Sequence, residues 1–242
     1  MIADEKLAGL IVFPIALIGV FANWTVALLI RRLPSLKNSF GRLTASQSIG
    51  DAIHSTVFAF LFSPMCFFGI DFMKEYSSVI GHILLIAYDI STYSHLCISL
   101  NRFCSIVAPI QYDTIFRIHF GSLLTHNLQL SSTSSQSHAK KRSAEMNFLK
   151  QACLQAFVFV CELITYFLIT PRVDGSERWL RFFLSTVAWV CVHMLDGIIT
   201  LSFNKEFTQT IFRGIKIKDL SGYSTRHPHT ENTSNAGSKT KH

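Results

Sequence analysis

In this chain of 242 residues, 49% hydrophobic side chains stand against only 15% charged ones, whereas a typical soluble domain carries about 25% charged residues. The composition points to lipid as the solvent. The net charge of +7 does not indicate nucleic acid, because the basic residues fall in short stretches between long apolar runs rather than on one surface.

The first apolar run begins at Leu7, directly after Asp4, Glu5 and Lys6. It is too long for the core of a signal peptide and lacks a basic leader and a clear cleavage site, so it reads as a retained first helix. A membrane-spanning helix needs about 20 mainly apolar residues, and five segments meet that need: 7–30, 43–68, 79–101, 149–170 and 180–203. The expected fold class is an all-α membrane protein whose helical domain covers 1–213. Residues 113–147 form a polar connection that contains the run Ser131 to Ser137 followed by Lys140, Lys141 and Arg142, and cannot span a bilayer. The tail 214–242 is rich in Ser, Thr, Lys, Asn and Gly and is expected to be disordered.

Lysine and arginine set the expected orientation, since cytoplasmic connections carry an excess of them. The 31–42 link holds Arg31, Arg32, Lys37 and Arg42, the 102–148 link holds Arg102, Arg117, Lys140, Lys141 and Arg142, and the tail holds Lys205, Arg213, Lys216 and Lys218. The 69–78 and 171–179 links mix their basic residues with Asp71, Glu75, Asp174 and Glu177. The N-terminus is therefore expected outside and the C-terminus in the cytoplasm. The sequons at Asn23, inside a span, and Asn232, in the tail, are not expected to be glycosylated.

All six cysteines fall in apolar segments, with no C-x-x-C pair and no zinc-finger spacing, so most read as small packing residues. No metal site, cofactor or catalytic residue is indicated: there is no Gly-rich phosphate loop, metal-ligand pattern or nucleophile motif.

Four acids lie within spans, Asp51, Asp89, Glu162 and Asp196. An ionisable group there is costly and usually faces the bundle interior or a water-filled cavity. At 1.5 Å per residue, Asn23 lies roughly 24 Å from the outer end of its helix, Asp51 roughly 12 Å from the inner end of its own, and Asp196 roughly 24 Å from the outer end of the last. Asp89 and Glu162 lie roughly 12–15 Å below the outer surface. This sorts the groups into an inner layer of Asn23, Gln47, Asp51 and Asp196, and an outer pair, Asp89 and Glu162, that are ligand-pocket candidates.

The most specific pattern closes the third span, where Ile98, Ser99, Arg102, Ile106, Pro109 and Tyr112 match I-S-x-D-R-Y-x-x-I-x-x-P-x-x-Y, with Asn101 in place of Asp and Phe103 in place of Tyr. This resembles the signature of rhodopsin-like receptors. Gly19 with Asn23 is similar to that family's first-helix pattern, and Leu43 to Gln47 resembles L-A-x-x-D with Gln47 at the acid. Asp196 to Thr200, followed by Phe207, has the spacing of N-P-x-x-Y and its later Phe, and Asn204 to Phe212 would form a short amphipathic helix on the inner surface.

The stretches DISTYSHLCISLNRFCSIVAPIQY, NFLKQACLQAFVFVCELITYF and WVCVHMLDGIITLSFNKEF are more particular, and resemble the nematode serpentine receptors of class X over residues 7–117 and 145–213. The resemblance implies a rhodopsin-like bundle of which five of seven transmembrane helices are present, with helices four and five missing between Tyr112 and Ala139. Losing two adjacent helices preserves the orientation of the rest. It also implies a chemosensory receptor in the plasma membrane, a heterotrimeric G protein as partner, and a small-molecule or peptide ligand. Asn101, Arg102 and Phe103 would face the G protein, and the inner layer would form a polar switch. Asn101 cannot hold Arg102 by charge, so another group must supply any restraint. The rival readings are a non-signalling truncated or mis-spliced membrane fragment, and a transporter or channel that uses the in-span acids as a relay. The latter would be supported by inverted repeats, and the two halves of the chain show no similarity.

Overall fold

The computed structural model describes residues 2–33, 36–107, 135–204 and 206–211. We number its helices α1 (Ile2–Arg32), α2 (Ser39–Phe68), α3 (Asp71–Glu75), α4 (Ser77–Val107), α5 (Ser135–Ile164), α6 (Arg178–Phe203) and α7 (206–211). Five of them, α1, α2, α4, α5 and α6, are long and apolar enough to cross a membrane, and no strand occurs among the described residues. The bundle end that carries the start of α1 is called upper below, and the opposite end lower.

Local chemistry explains the boundaries. Asp4 and Glu5 open α1 and Arg31 and Arg32 close it, which places each charge against the complementary end of the helix dipole. Asn38 caps α2, its side-chain oxygen accepting from the Gly41 amide at 2.8 Å. At the other end of α2, Gly69 adopts φ +67°, a left-handed terminus that a residue with a Cβ resists. Two helices widen by one residue directly before a proline. In α2 the turn Phe58–Phe62 ends with the Ser63 amide reaching back to Phe58, ahead of Pro64. Beyond α5, the turn Thr165–Ile169 ends with the Thr170 amide on Thr165, ahead of Pro171. A proline ring collides with the carbonyl four residues before it, and a wide turn moves that carbonyl aside. A third wide turn, Phe183–Val187 in α6, has no proline beside it.

Helix α5 starts at Ser135, well before the predicted span, so residues 135–147 of the 113–147 connection are helical rather than a loop. The run HAKKRSAEMNFLKQ contains no breaker and several strong helix formers, which let the helix project past the apolar stretch. The rest of the connection, with Pro109 and Tyr112, and the tail 214–242 lie outside the described residues.

Helix α1 packs against α2 and α6, α2 against α4, and α5 against α6. Two apolar clusters result. The upper one gathers Val12, Ala16, Val57, Phe58 and Val190, and the lower one Val26, Ile30, Phe40, Ile98 and Phe207. Phe207 is 1% exposed and anchors α7, whose first turn is capped by Asn204. All six cysteines are free; Cys66, Cys104 and Cys191 are half-buried, with Cys66 packed beside Gly9 of α1, and Cys97, Cys153 and Cys161 are exposed.

Candidate functional site

Between the two apolar clusters lies a polar layer. Asn23, Gln47, Asp51 and Asp196, expected at one depth, are all fully or nearly fully buried, with exposures of 0–1%. They are joined through histidines that the sequence reading did not single out. His193 of α6 donates from Nδ1 to Asp51 Oδ1 at 2.7 Å, and Ser91 of α4 donates to the same oxygen at 2.6 Å. His95 of α4 donates from Nε2 to Asp196 Oδ2 at 2.8 Å, with the Gln47 amide 3.2 Å from the same nitrogen. Asn23 donates to the backbone oxygens of His193, at 2.7 Å, and of Gly19, at 3.1 Å. Helices α1, α2, α4 and α6 thus meet in two adjoining hydrogen-bonded groups, one around Asp51 and one around Asp196, both resting on α6.

Helix α5 joins from the lower side. Gln155 donates to the Asp196 carbonyl at 3.2 Å and Gln151 to the Thr200 hydroxyl at 3.1 Å. Each intramembrane hydrogen bond between helices contributes on average about 0.6 kcal/mol and at most about 1.7 kcal/mol, so the layer gives register more than bulk stability. Close backbone approach supports it: a methyl at Gly197 would stand 2.6 Å from Asn23 Oδ1, and one at Gly50 would stand 2.9 Å from the Ala87 carbonyl.

Two carboxylates and an imidazole now share a small volume. Asp51, His193 and Asp196 each offer an atom within 4.8 Å of the others, a set able to hold a metal ion although no sequence motif brought them together. A signal did exist. Asp51 and His54, Ser91 and His95, and His193 and Asp196 stand three or four residues apart, so each pair lies on one face of its helix. Above the layer, the His54 and His193 rings pack at a 44° tilt with centres 3.8 Å apart, and the Trp189 ring centre lies 4.9 Å from that of His54.

The two ligand-pocket candidates separate. Glu162 is 5% exposed and lies beside Tyr88, whose ring approaches Trp189 at 5.5 Å. Asp89, expected to face the interior, is exposed on the outer side of α4. The interior positions of that helix belong to its neighbours Ala87 and Ser91, which face α2 across Gly50.

At the lower end, Asn101 and Arg102 are buried and Phe103 is 61% exposed. The Arg102 guanidinium carbon sits 3.8 Å from the centre of the Phe40 ring and 5.3 Å from that of Phe148. The two rings themselves stand 4.8 Å apart and bridge α2 and α5. Aromatic faces thus contribute to holding Arg102, while Asn101 donates to Ser39 at 3.3 Å.

Comparison with known proteins agrees with this architecture. The crystal structure of squid rhodopsin superposes with a TM-score of 0.62 over 94% of this chain and 93% of that one, at 13% identity, which establishes a rhodopsin-like fold. Serpentine receptor class X 45 of Caenorhabditis elegans is 30% identical over 292 aligned positions, covering 86% of this chain and 81% of the relative. Serpentine receptor class X-43 of the same organism is 22% identical over 287 positions, covering 89% of each. The first alignment is longer than the chain: 86% of 242 residues is about 208, so about 84 of its 292 positions have no counterpart here. Two overlapping segments, 13–128 and 118–204, match the family described as serpentine type 7TM GPCR chemoreceptor Srx, and the chain belongs to that family of multi-pass membrane receptors.

Proposed function

We propose that this chain senses an extracellular small molecule or peptide at the plasma membrane and passes the signal to a heterotrimeric G protein. In this reading the N-terminus lies outside and the C-terminus in the cytoplasm. Asn23, Gln47, Asp51 and Asp196 act as the polar switch layer, and the Asn101, Arg102 and Phe103 segment engages the G protein. The reading rests chiefly on the continuity of α4. His95, inside the hydrogen-bonded layer, and Arg102, resting against the rings of Phe40 and Phe148, lie seven residues apart on one helical face. A rearrangement of the layer therefore has a rigid path to the guanidinium. Glu162, beside Tyr88 above the layer, is the ligand-pocket candidate we retain, and Asp89 is set aside because it faces outward.

The test uses a chain with the two absent helices restored. Arg102→Lys keeps the charge but removes the planar fork and its stacking on the rings. It is expected to cut nucleotide exchange on the G protein at least tenfold with surface labelling unchanged. Equal exchange at equal expression would reduce Arg102 to a topology anchor. A second reading, a truncated or mis-spliced product that does not signal, is favoured by the 84 or so aligned positions that have no counterpart here. Sequencing the transcript across codons 112–145 decides between them, since an omitted exon encoding two spans would restore a conventional receptor.

A further inference from the structure

The lipid-facing sides of the five spans are not alike. The exposed large side chains of α1 include Leu10, Phe13, Ile18, Phe21 and Leu28, and those of α5 include Leu154, Phe157, Val160 and Ile164, all suited to hydrocarbon. The exposed side of α4 carries His82, Ile86, Asp89, Tyr93, Leu96 and Leu100. These positions recur at three, four and seven residues, so they form one stripe down the helix. Asp89 lies about 18 Å from the start of α4, near the middle of a hydrocarbon layer about 30 Å thick. Among the described residues it is the one exposed acid at mid-depth in the spans. An aspartate facing lipid at the helix centre costs about 2.5–3.5 kcal/mol on insertion scales, a large penalty for a surface that stays bare.

Tyr93 stands one turn below Asp89 on the same stripe and is 67% exposed. The stripe thus presents an acceptor and a donor four residues apart. Helical side chains lean toward the N-terminus of their helix, so the hydroxyl of a tyrosine on a parallel neighbour rises toward the level of Asp89. A surface with this property is complementary to itself: in a two-fold pair, Tyr93 of each copy donates to Asp89 of the other, and both bonds form by symmetry. A carboxyl group accepts through an oxygen whether or not it carries a proton.

We propose that the α4 stripe is an intramembrane interface between two copies of this chain, closed by reciprocal Tyr93 to Asp89 hydrogen bonds. Every copy presents the same face, with Asp89 and Tyr93 both exposed on it. The pairing does not depend on G-protein coupling and applies to the five-span product as it stands.

The test reconstitutes the full chain, labelled at its C-terminus with donor and acceptor fluorophores, in phosphatidylcholine vesicles over a range of protein-to-lipid ratios. Energy transfer is expected to persist on dilution beyond random proximity. Tyr93→Phe and Asp89→Leu are each expected to weaken association about tenfold, as the loss of two intramembrane hydrogen bonds requires, while Asp89→Asn, which retains an acceptor oxygen, keeps it. Phe157→Leu on α5 should change nothing. All these positions are exposed, so helix content and thermal midpoint should stay level across the set. Transfer no greater than random at every ratio, association untouched by both α4 changes, or transfer that appears only when a seven-span class X receptor is added would each overturn the proposal. The last outcome would assign the stripe to the helices of a longer partner.

Discussion

The polar layer and the upper third of the bundle are built on opposite principles. In the layer, each buried side chain has a named partner on another helix: Asp51 on His193 and Ser91, Asp196 on His95, Asn23 on the His193 carbonyl. Sliding one helix by a residue breaks several of these bonds together. In the upper third the contacts are apolar and aromatic, Val12, Ala16, Val57, Phe58 and Val190 among them, and the wide turns at Phe58–Phe62, Thr165–Ile169 and Phe183–Val187 all lie there. Apolar groups accept many arrangements at similar energy, and wide turns are local departures from the regular ladder. The contrast assigns register to the layer and adaptability to the region above it, where a receptor's ligand would have to be accommodated.

The largest effect should follow from removing the centre of the layer. Asp51→Ala leaves His193 Nδ1 and the Ser91 hydroxyl without their shared acceptor, and is expected to destabilise by about 2–3 kcal/mol. Combined with His193→Ala, the cost should fall short of the sum by about 0.5–3 kcal/mol, the range for residues in one network. Thermal unfolding of the detergent-solubilised chain measures both. Additive costs would dissolve the layer into independent contacts and remove the contrast.

A smaller effect tests close approach rather than polarity. Gly197→Ala drives a methyl against Asn23 where α1 meets α6 and should cost about 1–2 kcal/mol. At Gly81, near the upper end of α4, a Cβ would meet nothing within 4 Å, so Gly81→Ala should stay within about 0.5 kcal/mol of the parent or gain slightly from helix propensity. Equal costs at the two glycines, read from the same melting curves, would mean that the layer is no tighter than the upper end.

The smallest effect lies outside the spans. In the connection before α6, the Ser176 backbone amide and hydroxyl both donate to Asp174 Oδ1 at 2.8 Å, and these bonds hold the Asp174 carboxyl below its ordinary range. A lowered folded value means that the turn's stabilisation is present above the ordinary carboxyl range and is lost as pH falls through the folded value. Hydrogen exchange at the Ser176 amide should therefore quicken at acid pH beyond its intrinsic rate, and Ser176→Ala should move that onset upward. An unmoved onset would show that the hydroxyl contributes nothing.

Hydropathy made the five long helices legible, because a bilayer demands about 20 apolar residues wherever a chain crosses it. Depth arithmetic also put Asn23, Asp51 and Asp196 at one level, and all three are in the layer. Rotation was not legible in the same way. Which face of α4 turns inward is decided by Gly50 of α2, which admits the α4 backbone at Ala87 and Ser91, and a single sequence does not announce that contact. Asp89 consequently lies on the open side although a buried acid was expected. Gln47 was read as the counterpart of the family's second-helix acid, yet it reaches His95, while Asp51 one turn away takes the bonds of Ser91 and His193. The histidines left only the trace of their spacing from Asp51, Ser91 and Asp196 on the same helices, because the carboxylate each one meets is brought to it by another helix.

The aromatic seat of Arg102 has a consequence for how quiet such a receptor is at rest. Two ring faces on different helices hold the guanidinium, and a desolvated cation over a ring is worth about 2 kcal/mol or somewhat less. Because Phe148 belongs to α5 and Phe40 to α2, a tilt of α5 that lifts its ring by a few ångströms removes part of the hold without breaking a covalent or ionic contact. If the chain couples as proposed, its basal output would then vary with ring size at position 148, with leucine there raising it and tryptophan lowering it, a tuning available to evolution at one codon and independent of what the ligand is.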